Sequence, residues 1–313
     1  MLDALAIILE QPERISLGRL PISPPSDDDI VVRTDFSGIS TGTERLLYRG
    51  LMPSFPGMGY PLVPGYETVG RVVAAGRASP IREGATVFVS GARCFGEVRG
   101  LFGGAASQLV SRATRAIEVP ESLGADAILL ALAATAYHAR ANTPGVRDLI
   151  VGHGVLGRLL ARLACIDGGT PPVVWETDAQ RRLGATGYEV LYPDDDSRRD
   201  YTLVFDASGD ASILDSLVAR LAPGGEIVLA GFYEARVSFA FAPAFMREAR
   251  LRIAAEWRAE DLAAVTALVA DGRLSLDGLV THHAEASDAA RAYPIAFDDP
   301  SCLKMVLDWR TCT

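Results

Sequence analysis

The sequence predicts an α/β chain in two parts, a small barrel-like all-β domain followed by a doubly wound parallel sheet flanked by helices. Three observations predict it. Up to about Leu123, short apolar runs are punctuated by Gly and Pro. From Asp148 onward, apolar strands alternate with helical stretches. The first of those later strands runs straight into a glycine-rich turn, Gly152-His153-Gly154-Val155-Leu156-Gly157. A length of 313 residues is enough for two such cores.

In the first part, strands are expected at Ala4–Leu9, Ile30–Asp35, Thr68–Ala74, Thr86–Val89 and Ala106–Ser111. Short strands at this spacing, with turn residues between them, suit a barrel. Asp126–Arg140 is rich in Ala and Leu and reads as a helix. The second part gives strand Leu149–Val151, helix Leu156–Ile166, strands Val173–Trp175 and Leu203–Phe205, helix Ile213–Leu221 and strand Ile227–Ala230. The tail gives a helix from about Glu260 to Asp271, another near Ser287–Phe297 and a last strand, Leu303–Leu307. Asp194–Asp196 and Arg198–Arg199 read as a solvated turn.

Composition excludes several function classes. A formal charge of -9 removes the attraction that nucleic acid or an anionic membrane would supply, so no nucleic-acid partner is expected. Lys304 is the only lysine, which leaves lysine-based covalent chemistry a single candidate, and its expected role is structural. Cys94, Cys165, Cys302 and Cys312 form no C-x-x-C pair, which argues against a disulfide framework or cysteine zinc knot and for a reducing cytoplasm. Asp3 and Glu10 flank the first apolar run, unlike a secretory signal. The longest apolar stretch, Ile128–Ala139, is too short to span a membrane.

The glycine turn carries the most chemistry. Between a strand and a helix, Gly152 permits the tight turn, Gly154 lets backbone approach a pyrophosphate, and Gly157 lets helix and strand pack closely, with the phosphates at the helix N-terminus. Glu176 closes the next strand about 20 positions further on, where a carboxylate accepts from ribose hydroxyls and repels a 2′-phosphate. Gly152, His153, Gly154, Val155, Leu156, Gly157 and Glu176 are therefore the expected cofactor contacts, and NAD the expected cofactor. His153 is expected to space the backbone or face the diphosphate. Ser208 and Gly231 close later strands, where they either touch the nicotinamide or simply form turns.

With these features the chain resembles the medium-chain dehydrogenase/reductase superfamily, in which a GroES-like β domain precedes a Rossmann domain and the C-terminal segment folds back onto the first. The resemblance implies a GroES-like domain at 1–123 and 258–313 and an NAD-binding domain at 124–257. Zinc-dependent members carry a cysteine where this chain has Gly38-Ile39-Ser40-Thr41-Gly42-Thr43-Glu44, and a histidine where it has Gly65-Tyr66-Glu67. Ser40 and Tyr66 replace thiolate and imidazole poorly, so no catalytic metal is expected. Thr43 matches the hydroxyl residue that starts the family's proton relay. Tyr66 is the second catalytic candidate, and Glu67, with Glu44, either orients these groups or holds the domain together.

Ser37–Glu44, Phe55–Glu67, Arg99–Ala105 and Pro243–Arg250 are similar to one branch, the 3-hydroxyethyl bacteriochlorophyllide a dehydrogenases. That resemblance implies a tetrapyrrole substrate whose hydroxyethyl group is oxidised to acetyl, with NAD taking the hydride. Phe55, Met58, Tyr60, Phe102 and Phe232 are expected to line its apolar cleft, or else belong to the core or a dimer contact. Arg93, Arg99 or Arg247 either meets a pigment carboxylate, since a guanidinium pairs with carboxylate in two-pronged fashion, or is simply surface charge. A homodimer through the edge of the parallel sheet is implied as well. A zinc-free NADPH quinone or enoyl reductase, and a pigment or dinucleotide carrier without turnover, remain the competing readings.

Overall fold

A computed structural model describes residues 2–141 and 148–312. The chain divides into two compact units, Met1–Ala131 with Leu276–Thr313, and Leu132–Ser275.

The first unit is organised around the long strand Asp29–Ile39. Its Ile30, Val31 and Val32 are buried, and it pairs antiparallel with Thr68–Ala75, Gln108–Arg112 and Met305–Asp308. The sheet runs His282–Glu285, Met305–Asp308, Asp29–Ile39, Thr68–Ala75, Thr86–Val89, Ala116–Glu118. A smaller sheet orders Arg14–Pro21, Asp3–Gln11, Leu62–Val63 and Arg99–Gly100. Strand Arg14–Pro21 lacks a clean apolar alternation and was not expected. Its register against Asp3–Gln11 comes from the tight hairpin between them.

The second unit is a six-stranded parallel sheet in the order Glu189–Leu191, Val173–Trp175, Asp148–Val151, Tyr201–Asp206, Leu221–Leu229, Arg250–Ile253. All four residues of Asp148–Val151 are buried, as suits the interior of a parallel sheet. Helix Val155–Ile166 follows and buries Leu159, Leu160 and Leu163. Between Trp175 and Glu189 the chain makes its parallel crossover without a helix. Crossovers of this kind usually use one to satisfy their backbone. Here Arg158 does part of that work, its guanidinium donating to the carbonyls of Arg181 at 2.9 Å, Leu183 at 2.8 Å and Gly184 at 3.3 Å.

The observed boundaries differ from the expected 123/124 and 257/258. Helix Ala259–Ala270 belongs to the second unit, where Asp261 bonds His138 Nδ1 at 2.8 Å. The apolar stretch is also longer than expected: helical turns run from Glu121 to Arg140, which by length and composition is enough to cross a membrane. Half of it is buried inside the protein, and Gly124 breaks it with non-helical angles, both marks of a core helix.

Candidate active site

In the first unit, three separate segments bring hydroxyls together. Ser40 follows strand Asp29–Ile39, Thr43 opens helix Thr43–Arg49, and Tyr66 precedes strand Thr68–Ala75. Ser40 Oγ and the Tyr66 hydroxyl lie 2.7 Å apart, and Thr43 also hydrogen-bonds Tyr66. Phe102 meets the Tyr66 ring edge-on at 5.2 Å. Burial, reinforced by the charge of Glu67, pushes the Tyr66 phenol above its ordinary range, so it works as a neutral hydroxyl.

Behind this chain lie two buried carboxylates. Lys304 Nζ donates to Glu67 Oε1 and Oε2 and to the carbonyl of Ile39, the last at 3.3 Å. Glu44 accepts from the Ser40 N–H at 3.1 Å and from the Tyr293 hydroxyl at 2.9 Å. Burial first, then the charge of Glu67, raises Glu44 to about 7. Thr43 and Tyr66 thus stand together, while Glu67 sits fully buried behind Tyr66 with its oxygens occupied by an ammonium. That suits Glu67 to positioning and not to taking a proton from a substrate.

The donor set does not fit a metal. Ser40 and Tyr66 are bonded to each other and Glu67 to a lysine, whereas zinc needs three or four free N, S or O donors. Among the described residues no three His, Cys, Asp or Glu converge. Beside the hydroxyls, Phe55, Met58 and Tyr60 pack half-buried on Leu46, Leu47, Leu62 and Leu101, with the Tyr60 hydroxyl donating to the Leu47 carbonyl at 2.5 Å.

In the second unit the glycine turn has the shape that a dinucleotide needs. A Cβ on Gly157 would collide with the Gly152 carbonyl, whereas one on Gly154 would meet nothing, so the loop is closed on its inner side and open on its outer one. Gly154 caps helix Val155–Ile166, whose first N–H groups have no partner within the helix. Val155 and Gly157 are buried in that first turn and Leu156 is half-buried. Glu176 faces the turn: its Oε2 accepts from the His153 N–H at 3.0 Å and its Oε1 from the Asp178 N–H at 2.9 Å.

His153 departs from expectation. Its imidazole is fully buried, with Nδ1 2.6 Å from the Arg181 carbonyl and Nε2 2.8 Å from the Tyr188 hydroxyl. Burial lowers its pKa to about 4. A neutral ring is what the crossover loop needs for a partner, and with its N–H held by Glu176 His153 is taken up within the protein on both counts. Ser208 is similarly turned inward, its hydroxyl donating to Asp206 Oδ1 at 2.6 Å, while Gly231 N–H donates to the Asp206 carbonyl. Phe232 belongs to this second unit, is 48% exposed, and is not part of the cluster around Tyr60.

Residues 26–121 match the alcohol dehydrogenase GroES-like domain family. The chain is 58% identical to 2-desacetyl-2-hydroxyethyl bacteriochlorophyllide A dehydrogenase of Cereibacter sphaeroides, covering 97% of this chain and 98% of that one. It is 56% identical to the Rhodobacter capsulatus protein of the same name, covering 99% of each. The chain belongs to the medium-chain dehydrogenase family. As a medium-chain dehydrogenase it is an oxidoreductase acting on CH–OH groups. Its fold matches the Escherichia coli CFT073 alcohol dehydrogenase rspB, solved with NADH, at a TM-score of 0.82 and 21% identity, over 98% of this chain and 99% of that one.

Ser40 as the hydrogen-bond partner of Tyr66, Lys304 as the partner of Glu67 and Tyr293 as the partner of Glu44 were missed in the sequence of this dehydrogenase. One signal was available: a chain with a single lysine that places it in an apolar strand context, Cys302-Leu303-Lys304-Met305-Val306, has a specific buried partner for it.

Proposed function

We propose that the chain oxidises the 1-hydroxyethyl substituent at C3 of a bacteriochlorophyllide to acetyl, using NAD and no metal. The observation that carries the mechanism is the hydroxyl chain of Ser40, Tyr66 and Thr43, the first two at positions that the resemblance matches to zinc ligands and the third at the family's relay hydroxyl. The substrate comes from the two relatives named above, with which the chain shares more than half its residues over nearly its full length.

NAD supplies the acceptor for the hydride. The open outer side of the glycine turn suits its pyrophosphate, and Glu176, held on two backbone N–H groups, suits the ribose hydroxyls and disfavours a 2′-phosphate. Thr43, half-buried at the start of its helix, takes the proton of the substrate hydroxyl while donating to Tyr66, and Tyr66 shares its hydrogen bond with Ser40. Each hydroxyl both donates and accepts, so the proton moves on without leaving a lasting charge in the interior, and it is finally released to water. An alcohol carbon conjugated to the macrocycle stabilises developing positive charge, which lowers the demand for a Lewis acid. Glu67 and Lys304 hold Tyr66 in place.

The reading extends to setting and assembly. Four free thiols suit a reducing cytoplasm. Among the described residues the outer strand Arg250–Ile253 leaves one edge open, with Ile253 77% exposed and Leu251 beside the exposed Phe241, Phe245 and Met246, which suits a homodimer. Mixing the protein with NAD and the hydroxyethyl pigment tests the function: appearance of the acetyl product's absorption, with NADH formed in equal amount, supports it. Pigment binding without turnover would leave only a carrier, and faster turnover with NADP would overturn the cofactor assignment.

A further inference from the structure

We propose that Arg99 reads a free carboxylate on the substrate, so that the enzyme takes the acid form of its pigment in preference to an ester. The proposal rests on the bacteriochlorophyllide reading above and adds the group that recognises the pigment's propionate.

Arg99 opens the short strand Arg99–Gly100, paired in parallel with Leu62–Val63. Its backbone N–H donates to the Pro61 carbonyl at 3.3 Å, and its Nη1 donates to the Tyr60 carbonyl at 3.2 Å. The guanidinium lies across Gly59, where a Cβ would come within 3.2 Å of both Cζ and Nε. Glycine at 59 therefore lets this arginine lie along the loop, and any side chain there would have to displace it.

The side chain is exposed, and among the described residues no carboxylate pairs with it. Arg71, Arg140 and Arg252 differ, each having an acidic partner within 3.1 Å. A single bond to Tyr60 fixes the Arg99 fork and leaves its remaining donors for a ligand. The loop it lies along carries Met58 and Tyr60, which pack on the Leu46, Leu47, Leu62 and Leu101 cluster, and Phe102, three residues along the chain, meets Tyr66. The segment is extended at 99–100 and bends at 101–102, so Arg99 and Phe102 are at most about 10 Å apart. A flat macrocycle lying on this shelf with its alcohol at Thr43 and Tyr66 can thus bring a side-chain carboxylate to Arg99. Pairing of a fixed guanidinium with a carboxylate is strong and geometrically selective. Esterification removes both the charge and an acceptor oxygen, and so removes the match.

The test compares oxidation of the hydroxyethyl bacteriochlorophyllide free acid with that of its methyl ester, at saturating NAD, in wild type, Arg99→Met and Arg99→Lys. In wild type, kcat/KM for the acid is expected to exceed that for the ester by tenfold or more. Arg99→Met brings this ratio down at least tenfold, through KM for the acid, and Arg99→Lys gives an intermediate ratio because it keeps the charge and loses the fork. A ratio in either variant equal to wild type overturns the proposal, as does a wild type indifferent to esterification. A wild type that oxidises neither pigment overturns the substrate reading and this proposal with it. Should Arg99→Met melt early, the lysine variant carries the comparison.

Discussion

Lys304 Nζ donates to both carboxylate oxygens of Glu67, at 2.9 and 2.8 Å, and the two side chains are 1% and 0% exposed. An ion pair this deep gains little over an apolar pair of the same volume, because both charges were taken out of water. Losing one partner is another matter, since the survivor is left charged in the interior. Lys304→Met is therefore expected to cost about 3–5 kcal/mol, and Lys304→Met combined with Glu67→Gln to regain most of it. Denaturant unfolding of wild type, single and double variants checks this; a single-variant cost under about 1 kcal/mol would sink the account.

Tyr66→Phe keeps the ring against Phe102 and removes the hydroxyl that links Ser40 to Thr43. Turnover is expected to fall about 100-fold or more with KM for pigment little changed, the range lost when a positioned proton-transfer group is deleted. Thr43→Val is expected to fall similarly. Near-normal kcat in both would place the proton acceptor elsewhere.

Glu44 and His153 give opposite dependences of stability on pH. With Glu44 raised from 4.5 to about 7 by burial, the folded chain keeps a proton that the unfolded chain has lost between those values, so stability falls as pH rises through the window. With His153 lowered from 6.5 to about 4, the unfolded chain takes up a proton first, so stability falls as pH drops from 6.5 toward 4. Glu44→Gln, which can still accept from Tyr293, is expected to flatten the alkaline-side decline, removing on the order of 3 kcal/mol across the window. Unfolding free energies measured from pH 4 to 8 decide it; an unchanged slope in Glu44→Gln counts against the buried proton.

Glu176→Ala removes the acceptor for the His153 and Asp178 N–H groups along with the carboxylate proposed to disfavour a 2′-phosphate. KM for NAD is expected to rise tenfold or more, corresponding to about 1.4 kcal/mol, while the preference over NADP narrows. Initial rates with both dinucleotides measure this, and an unchanged preference would remove Glu176 from cofactor choice.

The parts legible in the sequence were those in which neighbours along the chain determine the outcome. Strand Asp148–Val151, the glycine turn, helix Val155–Ile166 and Glu176 form one continuous local unit, and all lie where expected. Thr43 and Tyr66 were identified by resemblance, but their meeting depends on how the end of one strand, the helix after it and the approach to another strand are brought together, which no local pattern contains. Glu67 and Lys304 are 237 residues apart in sequence, and strand Asp29–Ile39 joins them by pairing with Met305–Asp308 on one side and with the Glu67–Thr68 segment on the other. His153 was misjudged because its partner is the crossover loop: a stretch with no helix exposes its own carbonyls, and a ring and a guanidinium came in to meet them. Strand Arg250–Ile253 was not expected because it is four residues long at an edge of the sheet, and its apolar residues, Leu251 and Ile253, are exposed.

The burial of Lys304 also governs how the molecule meets amine-directed reagents. Its ammonium is 1% exposed and the chain has no second lysine, so acylating dyes and amine cross-linkers find no side-chain target while the first unit is folded. The rate at which Lys304 becomes labelled then reports the opening of the interior around Glu67, a measure of local unfolding that needs no engineered probe.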